Sequence, residues 1–169
     1  IHAPKAEVKT ASWVDGVVEE IQDVDYKYKG CTTVDEIIAK DANYKTTDIV
    51  DGKWTEILSD LKSGYDMFCS TETLKSFTGD LSSLTDGSRM FYKCNALTTF
   101  DSDLSALTDA ECMFGSCENL KTFTADLSSL TNGHSMFYDC FKLESFTGDL
   151  SSEGGDLSSL SGKLSSLIN

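Results

Sequence analysis

The phrase Met-Phe-x-x-Cys-x-x-Leu-x-x-Phe is written three times, from Met90, Met113 and Met136, at a fixed interval of 23 residues. A fourth copy starts at Met67, with Thr71 where the others carry cysteine. A fixed period in the low twenties outranks other arguments about fold, because it identifies a chain assembled from like units. Aligned at that period, Leu74, Leu97, Leu120 and Leu143 share a column, as do Phe77, Phe100, Phe123 and Phe146. Asp-Leu pairs begin at Asp80, Asp103, Asp126 and Asp149, and Leu84, Leu107 and Leu130 make a further column. Units 67–89, 90–112, 113–135 and 136–158 therefore follow one template. No unit this short buries its own apolar face, so the coils must stack.

Within a unit, Leu-x-x-Phe and the two residues after it read as a short parallel strand. The next inward position after Phe is Gly79, Ser102, Ala125 or Gly148, uniformly small, as expected where a ring already fills the coil. The outward positions are Ser76 and Thr78, Thr99 and Asp101, Thr122 and Thr124, and Ser145 and Thr147. Hydroxyl-bearing β-branched residues suit an exposed pleated face. Asp-Leu-Ser-Ser then opens with a turn or N-cap acceptor. Thr-Asp-Gly supplies a second turn, before a short helical piece that puts Met90, Phe91 and Cys94 on one face.

Leu-x-x-Phe, a glycine ten residues on, and then Met-Phe-x-x-Cys together resemble the BspA-like leucine-rich repeats of bacterial surface proteins over roughly residues 67–150. The chain departs from the commonest form in placing Met before Phe and in lacking the usual proline. The resemblance implies an α/β solenoid: a leucine-rich-repeat right-handed superhelix of 23-residue coils with short parallel strands. It also implies a non-enzymatic adhesion or interaction module, extracellular or at a bacterial cell surface, that binds a protein or glycan receptor. Similar repeats occur in phage-encoded proteins, so the alternative is a fibre, tail or capsid-decorating component at a virion surface, contacting neighbouring virion proteins.

Upstream, Trp54, Leu58, Leu61 and Gly64 fall one period before Phe77, Leu81, Leu84 and Gly87, which makes 51–66 a degenerate first repeat. The same segment fits an amphipathic helical cap ended by Gly64, with Ile57 on the apolar face. Under either reading 51–66 covers the open end of the stack, and residues 1–50 read as a helical or α+β region, with Thr33 and Glu36 spaced as a capping box. After Asp149 the register breaks, and 159–169 reads as a tail or a truncated repeat. The opening Ile-His-Ala-Pro, without Met, reads as a processed or internal piece.

The formal net charge is −14, from 28 Asp and Glu against 14 Lys and Arg. Such a surface repels phosphate backbones and anionic lipid, which argues against nucleic acid. No stretch approaches the ~18 apolar residues of a span, which argues against membrane insertion. Six cysteines form no CxxC pair, and only His2 and His134 exist, so neither a structural zinc site nor a catalytic triad is expected. No phosphate loop occurs. No catalytic residue and no cofactor are expected.

Three features remain as candidates. Cys94, Cys117 and Cys140 form a ladder that reads as redox, disulfide or metal chemistry, or as small thiols packed behind the core phenylalanines. Asp80, Asp103, Asp126 and Asp149 stack like charges ~4.8 Å apart, which calls for compensation by turn N–H groups or by bridging calcium. The Ser/Thr strand face is the expected binding surface, joined by Tyr92, Tyr138 and Phe141 as rim aromatics that are either interface anchors or half-buried packing.

Overall fold

The computed structural model describes residues 13–14, 17–18 and 25–148. It contains one mostly parallel six-stranded sheet of short strands over a large buried aromatic cluster, with β3 (Ile49–Val50) and β4 (Lys53–Trp54) at one edge and the four strands of the repeats following in chain order. Strands β5 (Ser76–Phe77), β6 (Thr99–Asp101), β7 (Thr122–Thr124) and β8 (Ser145–Thr147) recur one period apart. They pair in parallel with Phe77 beside Phe100, Phe100 beside Phe123, and Phe123 beside Phe146. This is the arrangement of a repeat solenoid. Thr78, expected within the first of these strands, lies just beyond β5.

The core is a double file of rings. Phe68, Phe91, Phe114 and Phe137 stack along the axis at 5.2–5.5 Å between centroids. Phe77, Phe100, Phe123 and Phe146 stack beside them at 5.2–5.6 Å. Rings of the two files meet edge to face, as Phe100 does with Phe114 at 4.8 Å. Such pairs contribute about 0.5–1.5 kcal/mol each beyond the area they bury. Phe146, on the last described rung, is only partly buried, unlike the other three members of its column.

The short helical piece expected at Met-Phe-x-x-Cys is not there. Among the described residues, helices occur only at α1 (Val34–Lys40) and α2 (Tyr44–Thr47), outside the repeats. The segment is instead a chain of tight turns whose amides alternate in destination. Met90, Tyr92 and Cys94 N–H groups donate back three residues, to Gly87, Arg89 and Phe91. Gly87, Arg89, Phe91 and Lys93 N–H groups donate across to Asp109, Glu111, Met113 and Gly115 of the next coil. An α-helix spends its amides internally and would leave none for the neighbour. The alternation requires left-handed residues in two columns, Asp66, Arg89, Cys112 and Ser135, and Ser70, Lys93, Ser116 and Asp139, at φ of 52 to 58°. Each costs about 1–2 kcal/mol as a non-glycine residue, offset by the cross-coil bond that it permits.

At the N-terminal end, α1 starts with the capping box expected from Thr33 and Glu36. Strand β3 (Ile49–Val50) turns back into β4 (Lys53–Trp54) through Asp51 and Gly52, both at positive φ (52° and 80°), the requirement of a two-residue hairpin turn. Residues 51–66 contain no helix. Lys53 pairs in parallel with Ser76, and Ser63 bridges to Asp86, each one period apart. The segment thus follows the path of a coil, with Trp54 against Phe68 at the head of the ring files. A two-stranded antiparallel unit, β1 (Trp13–Val14) with β2 (Val17–Val18), lies upstream. The tail and most of the first 24 residues, including His2 and Asp149, lie outside the described residues.

Candidate functional site

Alternation along β6, β7 and β8 turns Phe inward and its neighbours outward. Thr99, Asp101, Thr122, Thr124, Ser145 and Thr147 are exposed, as is Thr78, and Ser76 is partly so. The two outer columns of this face therefore come together as expected from spacing. Past the strands the ladder continues, with the Ser102 and Ala125 amides donating to the carbonyls of Thr124 and Thr147. The small column earns its size here: a Cβ on Gly79 would stand 2.7 Å from Phe77 Cζ, and the Ala125 side chain is nearly buried.

Because this column is small and Asp-Leu-Ser-Ser turns away after it, the downstream edge of the face is hollow. A groove of about 720 Å³ lies there. Ala125 and Gly148 line it, with the hydroxyls of Thr124 and Thr147 and the carboxylates of Asp101, Asp103 and Asp126. Three members of the expected binding face, Asp101, Thr124 and Thr147, thus join two of the calcium candidates, Asp103 and Asp126. Among the described residues no ion pair neutralises these three carboxylates. Asp103 and Asp126 each accept the N–H two residues on, from Ser105 and Ser128, at 2.8 Å, and Asp80 does the same for Ser82 at 2.9 Å. The Ser128 side chain, and then the Ser128 amide, hold Asp126 below the usual carboxylate range. Among the described residues no group of three or more His, Cys, Asp or Glu is gathered to hold a metal ion.

The thiol ladder is structural. All six cysteines are free. Cys94, Cys117 and Cys140 are buried, and their Sγ atoms donate to the carbonyls of Phe68, Phe91 and Phe114 one coil back, at 3.0, 3.0 and 3.1 Å. Burial pushes the Cys94 and Cys140 thiols up to about 12, and Cys117 well above its ordinary value. A thiol so placed is neutral and unreactive at physiological pH.

The rim aromatics lie across the core from the strand face and separate into two kinds. Tyr92 is half-buried: its ring packs on Gly115, where a Cβ would stand 3.0 Å from it, and Arg89 and Lys93 approach the ring to 4.9 and 5.3 Å. Tyr138 and Phe141 are exposed by 54% and 62%.

Two arrangements have no counterpart in the sequence reading. Thr85, Thr108 and Thr131 each add a hydroxyl donor to the backbone carbonyl one coil back, at 2.9–3.1 Å. Beside them Asp109 accepts from the Glu111 amide, the Ser88 hydroxyl and the Asn132 side chain, which ties adjacent coils together. The recurrent Thr-Asp-Gly and Thr-Asn-Gly carried that signal, though as a turn rather than as an inter-coil tie. Among the described residues, no helix is long and apolar enough to cross a membrane. A scan against protein families, a search of curated proteins and a search of solved structures each found no match to this chain.

Proposed function

We propose that the chain is a leucine-rich-repeat solenoid of the BspA-like type, a right-handed superhelix, and that it acts as a non-enzymatic interaction or adhesion module. It works outside the cell, at a bacterial surface or in secreted form, and engages a protein or glycan receptor through its strand face. The supporting observation is the groove at the edge of that face, lined by Thr124 and Thr147 and by Asp101, Asp103 and Asp126, which have no ion-pair partner among the described residues. Carboxylates and hydroxyls on a rigid sheet favour a cationic or hydroxyl-rich partner, and the overall charge of −14 strengthens the first. The face offers few aromatic anchors, so affinity is built from many modest contacts.

The test is surface-plasmon binding of the whole chain to immobilised host glycoproteins, with the triple variant Asp101→Asn, Asp103→Asn, Asp126→Asn alongside. Binding that weakens with added salt and falls at least tenfold in the variant supports the reading. Absence of binding, together with stable incorporation into a phage particle, would replace it with the virion alternative.

A further inference from the structure

The column Ser63, Asp86, Asp109 and Asn132 runs through the coils one period apart, and parallel bridges join its members. Asn132 carries the only side-chain amide in it, and Gly133 follows. Asn43, Asn95 and Asn119 are followed instead by Tyr44, Ala96 and Leu120, whose side chains stand beside the peptide nitrogen. Attack of a backbone nitrogen on the preceding asparagine side chain is least obstructed at Asn-Gly, because glycine has no Cβ.

Inside the stack, the nitrogen at this position is tied down. The Gly87 N–H donates to the Asp109 carbonyl and the Ala110 N–H to the Asn132 carbonyl, both at 2.8 Å. Gly133 occupies the last described rung of the column, and among the described residues its N–H has no acceptor. Gly133 is buried, so base reaches the nitrogen as this end of the stack opens, and no cross-coil bond of its own resists. The carbon to be attacked is held and polarised. Asn132 Oδ1 accepts the His134 N–H, and Asn132 Nδ2 donates to Asp109 Oδ1, each at 3.1 Å. A donor on Oδ1 stabilises the negative charge that develops there as the carbon is attacked.

We propose that Asn132 is a site of spontaneous deamidation. The Gly133 nitrogen loses its proton to solvent base and bonds to Asn132 Cγ. The Cγ–Nδ2 bond breaks, and the departing nitrogen takes a proton from water and leaves as ammonia. Water then opens the succinimide ring at either imide carbonyl, to aspartate or to isoaspartate.

Either product unties this rung. Asp109 loses the Nδ2 donor and gains a carboxylate as neighbour, an unfavourable like-charge pair. One coil earlier such a pair is relieved by a hydroxyl, as Ser88 Oγ donates to Asp109 Oδ1 at 3.1 Å. Glu111 stands one period after Ser88 and has no hydroxyl to offer residue 132. Isoaspartate also lengthens the main chain within the rung where the Asn132 N–H donates to Thr108 and its carbonyl accepts from Ala110. Conversion is therefore a slow, one-way loosening of this end of the solenoid.

The test is incubation of the whole folded chain at mildly alkaline pH, followed by peptide mapping with electron-transfer fragmentation to separate aspartate from isoaspartate. Conversion at Asn132 should outrun that at Asn43, Asn95 and Asn119 at least tenfold, and should quicken as pH rises. Ala110 fills the equivalent position one coil earlier, so Gly133→Ala is compatible with the fold and should slow conversion at least tenfold. In the converted fraction the Ala110 amide should exchange its hydrogen faster than in unconverted chain of the same age. An Asn132 that converts no faster than the other three, or at an unchanged rate in Gly133→Ala, would overturn the site. Unchanged exchange at Ala110 would overturn the loosening.

Discussion

The Tyr44 hydroxyl donates to the Met67 carbonyl, in the place where a backbone amide of a preceding coil would stand. In the interior of the stack, Phe68, Phe91 and Phe114 amides donate to the Met90, Met113 and Met136 carbonyls one coil on. Met67 lacks such a donor, because the corresponding position is Lys45, on α2. A second substitution accompanies the first: Lys45 Nζ reaches the Cys69 carbonyl, whose counterparts at Tyr92, Gly115 and Tyr138 accept amides from Ser70, Lys93 and Ser116. The cap ends the stack by imitating its ladder with side chains.

Burial raises the Tyr44 phenol to about 12, which keeps it protonated and donating. Tyr44→Phe should therefore leave the Met67 carbonyl buried and unpaired and destabilise the chain by about 1–3 kcal/mol. Urea unfolding measures it. An unchanged midpoint would mean that the imitation carries no stabilising weight.

Phe100 stacks between Phe77 and Phe123 and meets Phe91 and Phe114 edge to face. Phe100→Ala should cost about 3–5 kcal/mol. Phe146→Ala, at a partly exposed rung, should cost clearly less. Equal losses in denaturant unfolding would contradict the graded burial of the column.

Native-state thiol labelling should separate the cysteines. Cys69 and Cys112 are partly exposed and should react first, with Cys112 slowed because burial and then Glu111 raise its pKa. Cys31, Cys94, Cys117 and Cys140 should stay protected until the chain unfolds, as read by mass spectrometry after brief exposure to an alkylating agent. Rapid labelling of Cys117 in the folded protein would show that the ladder is open.

Acid should loosen the cap before the stack. The Asp41 carboxylate is held down to about 2 by hydrogen bonds from Lys27, Thr47 and the Asn43 amide. Burial alone would lower the Lys27 pKa, but bonds to Asp41 and Asp48 carry it above its ordinary value. Because the folded-state pKa of Asp41 lies below the ordinary carboxylate value near ~3.9, its contribution is full above that value and disappears as pH falls through about 2. The thermal midpoint of the wild-type chain should drop across that window more steeply than that of Asp41→Asn. Parallel curves would remove Asp41 from the acid response.

How much was legible follows from which interactions repeat. The Phe column, the outward Thr and Ser positions and the buried thiols recur every period, so one alignment exposes them all. The capping box at Thr33 and Glu36 is local and was equally readable. The helical piece at Met-Phe-x-x-Cys was misread because Met90, Phe91 and Cys94 do share an inward face, and that spacing fits a helix as well as a run of tight turns. The Asp51-Gly52 hairpin was present as a dipeptide signal, while the neighbouring Trp54, Leu58 and Leu61 fit both a degenerate coil and a helical cap, of which the structure follows the coil.

Sequence alone determined the period, the identity of the core columns and the direction in which each strand residue faces, because stacking repeats one side-chain decision in every coil. Tertiary structure decided where the amides between strands go. Cross-coil hydrogen bonds belong to no single unit, and left-handed residues such as Arg89 and Lys93 carry no local mark of glycine. It also decided how the stack begins, since Tyr44 and Lys45 complete a ladder to which they do not belong by sequence, and Thr71 is left without the carbonyl that its column otherwise provides.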